Sequence, residues 1–393
     1  MDYDQSTQVD IESTSRYIHQ IDRRINDLSS TGNISIESLL SETKGAFPTL
    51  VLNRCIKLGI GIQNTCHQNE FATFRTFTPE LHPLDFEWYF TEESAEHLAK
   101  LLCFRNHSLL CLGAPTVATA NAKLTKNTFL VDRNRLNIHR FTGKLKNVNC
   151  IYKDVLSYSE INKPFSVIFF DAPWYKETII SWLLRAAQLI RNKGIIAFSL
   201  FQELTRPSAK DDREMILEVS SRIGNIEIAR NALHYETPLF ERQALIASDT
   251  FINFNWRKGD LVLIHVNNTP IQISHRFLSP QDQWDSYTIR GQVIKHRKFA
   301  DQKKEHIFTP IDNCHNYIFP SVSHRDKRRP HINIWTSRNK VATVSHHNIV
   351  ASILGKLEKY PYNSNFDSNT IIKHLDLEKE KRWIIPLLKV LDF

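Results

Sequence analysis

An acid, a proline and an aromatic residue follow the most apolar run of the chain, and together they could hold an amino group. The run 167–170 reads Val-Ile-Phe-Phe, and Asp171, Ala172, Pro173 and Trp174 come directly after it. The carboxylate and the Ala172 carbonyl can accept two N–H bonds, Pro173 restricts the turn, and Trp174 offers a face for a flat ring. Such hydrogen bonds raise the electron density on the amine nitrogen and direct its lone pair at a methyl donor. The pattern indicates a site for the amino group of a flat base, although a buried aromatic loop in which Asp171 caps the next helix would use the same residues.

Three further segments place small or acidic residues where ligands bind in a parallel sheet, at the carboxyl ends of strands. Gly113-Ala114-Pro115 follows the first predicted strand and would let backbone amides approach a charged ligand. Asp132 ends the second strand, where a carboxylate often accepts ribose hydroxyls. Asp154 follows the third strand and could meet an adenine amine. Taken singly, each segment also fits an ordinary turn or a cap.

Elements that could position these residues are readable from the apolar pattern. A helix capped by Thr91 and running to about Cys103 leads into alternating strands and helices that extend to about Asn267. This alternation predicts a parallel, doubly wound sheet. The helix between the fourth and fifth strands has an apolar stripe over 179–190 and is predicted to end by Gly194. The predicted strands are Ser108–Leu112, Thr128–Val131, Val148–Tyr152, Ser166–Phe170, Gly194–Leu200, Glu227–Leu233, and either Ala244–Ala247 or Leu261–Val266.

The N-terminal part of the chain is predicted to be helical. Residues 1–32 are polar and predict a helix and a tether without a strong apolar face. Two short helices follow, the first broken at Gly45 and the second running from Pro48 to Gly59. They fit a helix-turn-helix, with a small wing after Gly61, but the pattern favours a helical hairpin that packs on the next domain.

These segments, in this order, resemble the N6-adenine methyltransferase-like family, whose members use S-adenosylmethionine and include ribosomal-RNA adenine and elongation-factor lysine methyltransferases. The resemblance covers about residues 82–266. Its motifs are the turn Gly113-Ala114-Pro115, the strand end Leu130-Val131-Asp132 with Arg133 and Arg135 after it, Tyr152-Lys153-Asp154, and the tetrad Asp171-Ala172-Pro173-Trp174. In the family the tetrad has two prolines, and here Ala172 replaces the first. The Ala172 carbonyl stays available, but the loop gains conformational freedom.

What the resemblance implies is a Rossmann-like class I methyltransferase that binds S-adenosylmethionine. The residues it assigns to the cofactor are Gly113, Ala114, Pro115, Asp132 and Asp154. The residues it assigns to the target amine and catalysis are Asp171, Ala172, Pro173 and Trp174. The expected reaction is methylation of adenine N6 in RNA or DNA. A protein lysine N-methyltransferase and a catalytically silent, nucleic-acid-binding subunit are the alternatives, and a partner chain that completes the site is left open.

A basic C-terminal segment favours a nucleic-acid substrate. Residues 290–340 contain 12 Lys or Arg and 4 Asp or Glu, an excess of 8 that equals the formal net charge of +8 for the whole chain. Cations alternate there with aromatic residues, as in Arg297-Lys298-Phe299, which is typical of proteins that bind single strands. The base would have to be unpaired or flipped to reach the pocket. Residues assigned to substrate binding are Tyr175, Arg297, Lys298, Arg328 and Arg329, although a solvated loop also fits the basic segment.

Composition limits the remaining possibilities. The chain has 393 residues, of which 41% are hydrophobic and 23% charged, as in globular proteins of two or three domains. No apolar run approaches the ~18 residues of a membrane helix and the N-terminus is too polar for a signal peptide, so we expect a cytoplasmic protein with no membrane contact. The six cysteines form no C-x-x-C pair and the adjacent histidines lack a matching pair, so we expect no metal. We predict an N-terminal helical, winged-helix-like module (1–80), a methyltransferase domain (81–268) and a basic α+β module (269–393).

Overall fold

The chain forms two compact units in the computed structural model. The first consists of Met1–Thr73, Trp88–Thr237 and Asn253–Ser279, and the second of Phe74–Glu87, Pro238–Ile252 and Pro280–Phe393. The domain boundaries at 80 and 268 stay predictions. The residues that the structure describes are 3–30, 32, 34–62, 76–103, 108–141, 143–159, 165–267, 284–298, 308–309, 311, 314–321, 326–360 and 368–392, without the side chains of 3–12, 308 and 315.

Three helices open the first unit: α1 (Tyr3–Ser29), α2 (Ile36–Glu42) and α3 (Pro48–Leu58). Helix α3 begins at Pro48 and ends before Gly59, whose φ of 68° is left-handed, so both predicted signals are confirmed. The prediction of a tether without an apolar face was wrong, because Tyr17, Ile21 and Ile25 form a buried stripe at a spacing of four. The wing predicted after Gly61 falls on 63–75, outside the described residues.

The N-terminal helices pack against the loop that follows the fifth strand of the same unit. The Tyr17 hydroxyl donates to the Leu204 carbonyl at 3.0 Å, and the Leu204 amide donates to the Lys44 carbonyl at 3.0 Å. Gly45, at φ 86°, lies so close to this loop that a β carbon would be 2.8 Å from Thr205 Oγ1. Packing on this loop therefore accounts for the glycine, as the hairpin interpretation predicts.

A seven-stranded sheet forms the centre of the first unit. Its strands are β1 (Leu109–Leu112), β2 (Thr128–Asp132), β3 (Val148–Tyr152), β4 (Phe165–Phe170), β5 (Ile190–Phe201), β6 (Gly224–His234) and β7 (Lys258–Val266). They lie in the order β3-β2-β1-β4-β5-β7-β6. Strands β1 to β5 are mutually parallel, and β7 runs antiparallel to both β5 and β6. The predicted doubly wound, mostly parallel sheet is confirmed, with β7 as an antiparallel strand.

Five more helices accompany this sheet: α4 (Glu92–Leu102), α5 (Pro115–Ala122), α6 (Arg135–Arg140), α7 (Lys176–Leu189) and α8 (Ala209–Ser221). Helix α4 has the predicted cap, since the Thr91 hydroxyl accepts from the Ser94 amide at 3.2 Å. Strand β4 is buried along its whole length, as its continuous apolar sequence predicts. The Phe170 ring stacks on Phe198 of β5 with centroids 4.9 Å apart, inside the core between sheet and helices.

Two sequence predictions about element boundaries are corrected. Helix α7 ends at Leu189, not near Gly194, and Ile190 starts β5 by pairing with Phe165. A β-branched residue at a helix end serves equally well in a strand, so the apolar stripe alone could not separate the two. Of the two candidates for the last strand, the segment at 261–266 is correct, whereas 244–247 is helical or follows a helix.

The second unit is an α+β structure around an antiparallel sheet, as predicted. Helix α9 (Leu239–Ile246) precedes the strands β8 (Trp284–Ile289), β9 (Gln292–Arg297), β10 (Phe308–Thr309), β11 (Ile334–Thr336) and β12 (Val341–Val344), and the helices α10 (His347–Lys359), α11 (Ser368–His374) and α12 (Lys381–Val390) follow. The strand order is β10-β12-β11-β9-β8. Its core joins sheet residues such as Ile294 and Ile334 to helix residues such as Leu354 and Leu387. In the described parts of the chain, no helix has the length and hydropathy needed to cross a membrane.

Candidate active site

The switch point of the sheet brings two of the predicted segments together. Strand β1 lies between β2 and β4, so the chain winds in opposite directions from the gap between β1 and β4. Leu112 pairs with Phe170 across this gap, and the Asp171 amide donates to the Leu112 carbonyl at 3.3 Å. The turn at Gly113 and the tetrad at Asp171 therefore leave the sheet side by side. In open α/β sheets this crevice is where ligands bind.

The Asp171 carboxylate is held by two hydroxyl groups. Ser199 of β5 and Tyr235, just after β6, both donate to Oδ1, the latter at 2.9 Å. Burial raises the pKa of Asp171 to about 7, although the two hydrogen bonds and the positive charge of Arg257 act in the opposite direction. A carboxyl group with this pKa can accept or release a proton at neutral pH. The residue remains partly accessible.

The rest of the tetrad forms a fixed loop. Ala172 is buried, and Tyr175 begins the turn that leads into α7. The Trp174 carbonyl accepts from Arg206 Nη1 at 2.8 Å. The Trp174 ring is partly accessible but meets Tyr235 edge-on, with centroids 5.4 Å apart. Part of the indole surface expected to stack on a base is thus used for packing within the protein.

The backbone conformation and the packing of the turn after β1 both favour a glycine at position 113. Gly113 has φ 61°, and a β carbon there would lie 2.7 Å from the Cη2 atom of Trp182. Ala114 is the N-cap residue of α5 but offers no side-chain acceptor, so no described side chain caps that helix start. The amides at the start of α5 can therefore serve an anionic group, whereas the space beside the Gly113 Cα is filled by Trp182.

The two predicted acidic cofactor ligands are engaged with their own loops. Buried Asp132 accepts from the Asn134 amide at 2.8 Å and from Asn137 Nδ2 at 2.6 Å. Asp154 accepts from the Leu156 amide at 2.9 Å and so caps a short 3₁₀ turn. Asp154 caps its turn through one oxygen, and because a carboxylate oxygen can accept two hydrogen bonds, it retains acceptor capacity for a ligand. The assignment of both residues to the cofactor stays a prediction.

The predicted substrate-binding cations lie in the second unit, and each has a local partner. Arg328 forms a bidentate pair with Asp326, at 3.0 and 2.7 Å, and Lys298 lies 3.0 Å from Asp285. Arg297 donates to the Pro330 carbonyl at 2.8 Å. Remaining cation–aromatic contacts join Arg297 to Trp284, Arg328 to Phe319, and Arg329 to Phe86 and Trp335. Phe299, expected to stack on a base beside these cations, lies outside the described residues.

Sequence reasoning missed the residues that surround the acid of the tetrad. Ser199 is a lone hydroxyl in the apolar run of β5, which was a readable signal. Tyr235 lies 64 residues after Asp171, and nothing in the sequence relates the two. The guanidinium of Arg257 lies 3.6 Å from the centroid of Trp88 and 5.3 Å from that of Trp174. It adds positive charge to this part of the site.

Comparisons with known proteins identify the fold. No protein-family model matches the chain, and no curated protein matches its sequence. A mutant of the branched-chain polyamine synthase of Thermus thermophilus, crystallised with N4-aminopropylspermidine and 5′-methylthioadenosine, is 11% identical over 66% of this chain and 90% of its own, with a TM-score of 0.52. A 16S rRNA N2-guanine methyltransferase of T. thermophilus, in complex with AdoMet and guanosine, is 11% identical over 52% of this chain and 46% of its own, with a TM-score of 0.31. An rRNA methylase from Streptococcus thermophilus is 13% identical over 44% and 95%, with a TM-score of 0.29.

At such identities the likeness concerns the fold. The polyamine synthase, whose structure is matched over most of its length, shares the arrangement of strands and helices with this chain. Together with the strand order and the antiparallel β7, this similarity defines the first unit as a Rossmann-like domain of the class I methyltransferase type. The predicted fold class is confirmed.

Proposed function

We propose that the protein transfers a methyl group from S-adenosylmethionine to an amino group, with adenine N6 in RNA or DNA as the acceptor. One observation carries this proposal. The Gly113 turn and the Asp171 loop leave adjacent strands at the switch point, joined by the hydrogen bond from the Asp171 amide to the Leu112 carbonyl. A donor held by the first and an amine held by the second would be neighbours.

The described residues fit the carboxylate end of S-adenosylmethionine better than its ribose and adenine end. The uncapped start of α5 behind Gly113 suits a carboxylate, because its amides point at the ligand and the helix dipole favours negative charge. Asp132 ends β2 and Asp154 follows β3, and carboxylates at these positions suit hydroxyl or amine groups as acceptors. When bound, the sulfonium supplies a methyl group that is already activated, so that no metal is required for the transfer.

The protein's part in the reaction is to orient the amine and to take its proton. The Asp171 carboxylate and the Ala172 carbonyl can each accept one N–H bond and so aim the nitrogen lone pair. After transfer the nitrogen carries a surplus proton, which Asp171 can accept because burial holds its pKa at about 7. The Arg206 bond to the Trp174 carbonyl keeps the loop in place during this step.

Adenine is the acceptor that needs this arrangement most. Its amino group is neutral but poorly nucleophilic, since the nitrogen lone pair is delocalised into the ring, and two hydrogen-bond acceptors counteract that delocalisation. An alkyl amine such as lysine is protonated at neutral pH and must first lose its proton. The excess of basic residues in 290–340 supports a nucleic-acid acceptor as well. A lysine side chain and an alkyl polyamine are the competing acceptors.

The test is methyl transfer from tritiated S-adenosylmethionine into separate RNA, DNA, protein and polyamine fractions by the full chain. We expect label in a nucleic-acid fraction, recovered as N6-methyladenine after digestion and abolished in Asp171→Ala. Asp211→Ala, which removes an exposed carboxylate of α8, is the matched control and should keep full activity. Label in protein or polyamine alone would overturn adenine as the acceptor. An absence of label in every fraction, with no binding of the cofactor, would favour the catalytically silent subunit.

A further inference from the structure

Tyr235 is held beside the tetrad by ring packing and by backbone pairing. Its ring is buried, lies 4.6 Å from the centroid of Phe90 at a tilt of 35°, and meets Trp174 edge-on. Its backbone is held by a bridge to Phe90, and its amide donates to the Arg257 carbonyl at 3.1 Å. The direction of the hydroxyl is therefore set by packing and by backbone pairing.

The two hydroxyls that donate to Asp171 bind only one of its two carboxylate oxygens. Ser199 and Tyr235 both donate to Oδ1. Among the described residues no group donates to Oδ2, and the residue stays partly accessible. One oxygen is thus committed to the protein, while the other can accept from a ligand.

From this asymmetry we infer that Tyr235, assisted by Ser199, is a positioning residue for the reaction. It fixes Asp171 so that only Oδ2 accepts a hydrogen bond from the amine, and it sets the angle of the neighbouring Trp174 ring. The inference rests on the proposed function, which it deepens. Tyr235 acts through Asp171 and needs no contact with the substrate. A carboxylate without this clamp would rotate between acceptor positions, and the transferring nitrogen would lose its alignment with the donor.

The clamp also sets the charge of Asp171. Both hydroxyls stabilise the ionised carboxylate, as does the positive charge of Arg257, whereas burial opposes ionisation and raises the pKa to about 7. Removing the tyrosine hydroxyl removes one stabilising hydrogen bond, so the pKa of Asp171 must rise further. A structural role for the ring alone would leave this pKa unchanged, because phenylalanine preserves the packing on Phe90 and Trp174.

The experiment compares wild type, Tyr235→Phe and Ser199→Ala, with Tyr17→Phe as the matched control. The control variant also loses a buried tyrosine hydroxyl, but this hydroxyl donates its hydrogen bond to the Leu204 carbonyl and not to Asp171. We measure kcat and KM for methyl transfer across pH 5.5–9.5 and, without any substrate, titrate the Asp171 carboxyl by ¹³C NMR. For Tyr235→Phe we expect the acidic limb of kcat and the NMR pKa to move upward by about one unit.

The expected kinetic pattern is specific. At neutral pH, kcat of Tyr235→Phe falls roughly tenfold, recovers partly at high pH, and the KM for the cofactor stays unchanged. Tyr17→Phe shows the wild-type profile. An active Tyr235→Phe variant with an unshifted limb and an unshifted NMR pKa would overturn the inference. Inactive wild type would instead overturn the proposed function, and the NMR titration would still decide whether the clamp controls Asp171.

Discussion

The substitution Gly113→Ala tests whether the turn after β1 is shaped by packing. Two penalties follow from the structure. The φ of 61° is left-handed, which costs an L-residue about 1–2 kcal/mol, and the new β carbon would lie 2.7 and 2.9 Å from ring atoms of Trp182. Overpacking of this kind typically adds about 1–3 kcal/mol. We therefore expect a loss of about 2–5 kcal/mol in the free energy of unfolding, or roughly 4–20 °C in Tm for a unit of this size.

The assay is urea denaturation followed by circular dichroism, with a control that separates the two penalties. Gly59 has a similar φ of 68°, but nothing lies within 4 Å of the position of its β carbon. Gly59→Ala should therefore lose only the conformational part, about 1–2 kcal/mol. In a Trp182→Leu background, Gly113→Ala should also cost only about that much, because the clashing ring is gone.

Two results would refute this reasoning. One is a cost of Gly113→Ala no greater than that of Gly59→Ala, and the other is a cost unaffected by Trp182→Leu. The double variant has a further use. If it regains stability but does not bind S-adenosylhomocysteine, then Gly113 also serves the approach of the cofactor, and its two roles are separated.

Three more outcomes are expected. Asp260→Ala should lower the free energy of unfolding by about 3–5 kcal/mol, because it leaves the Arg213 guanidinium buried without its carboxylate partner, which lies 2.8 Å away in the wild type. A change under about 1 kcal/mol in urea denaturation would contradict this. Arg206→Gln removes the hydrogen bond to the Trp174 carbonyl and should reduce kcat about tenfold, while the affinity for S-adenosylhomocysteine measured by calorimetry stays unchanged. Weaker binding of S-adenosylhomocysteine with a normal kcat would contradict this prediction. Because burial raises the folded-state pKa of Asp171 to about 7, the contribution of this residue to stability is greatest below about pH 4 and is lost as the pH rises through 7. The difference in Tm between Asp171→Asn and wild type should therefore favour the variant more at pH 8 than at pH 5. The same difference at both pH values would contradict this prediction.

The sequence was most informative where a local pattern decides the structure. The buried run of β4 predicted both the strand and the position of Asp171 at its end, because a strand covered on both faces must be apolar throughout. The proline and glycine around α3 likewise specified a helix start and a helix end. These features depend on residues that are neighbours along the chain.

Features that depend on distant residues could not be predicted in the same way. Tyr235 reaches Asp171 only because β6 and β7 fold back beside β5. Trp182 lies on α7 outside the apolar stripe that identified this helix, and its contact with Gly113 requires the sheet and the helix to be assembled first. The ion pair of Arg328 with Asp326, two residues away, was by contrast within reach of sequence reasoning.

The central claim is that an amine and a sulfonium donor are held next to each other between Gly113 and Asp171. The most direct test is the affinity of a bisubstrate compound in which the adenine N6 nitrogen is joined by a short linker to the donor, measured by calorimetry against each half alone. Adjacent sites predict that the joined compound binds wild type at least about 100-fold more tightly than the donor half, and that Asp171→Ala loses most of this gain. A joined compound that binds no better than the donor half would contradict the claim.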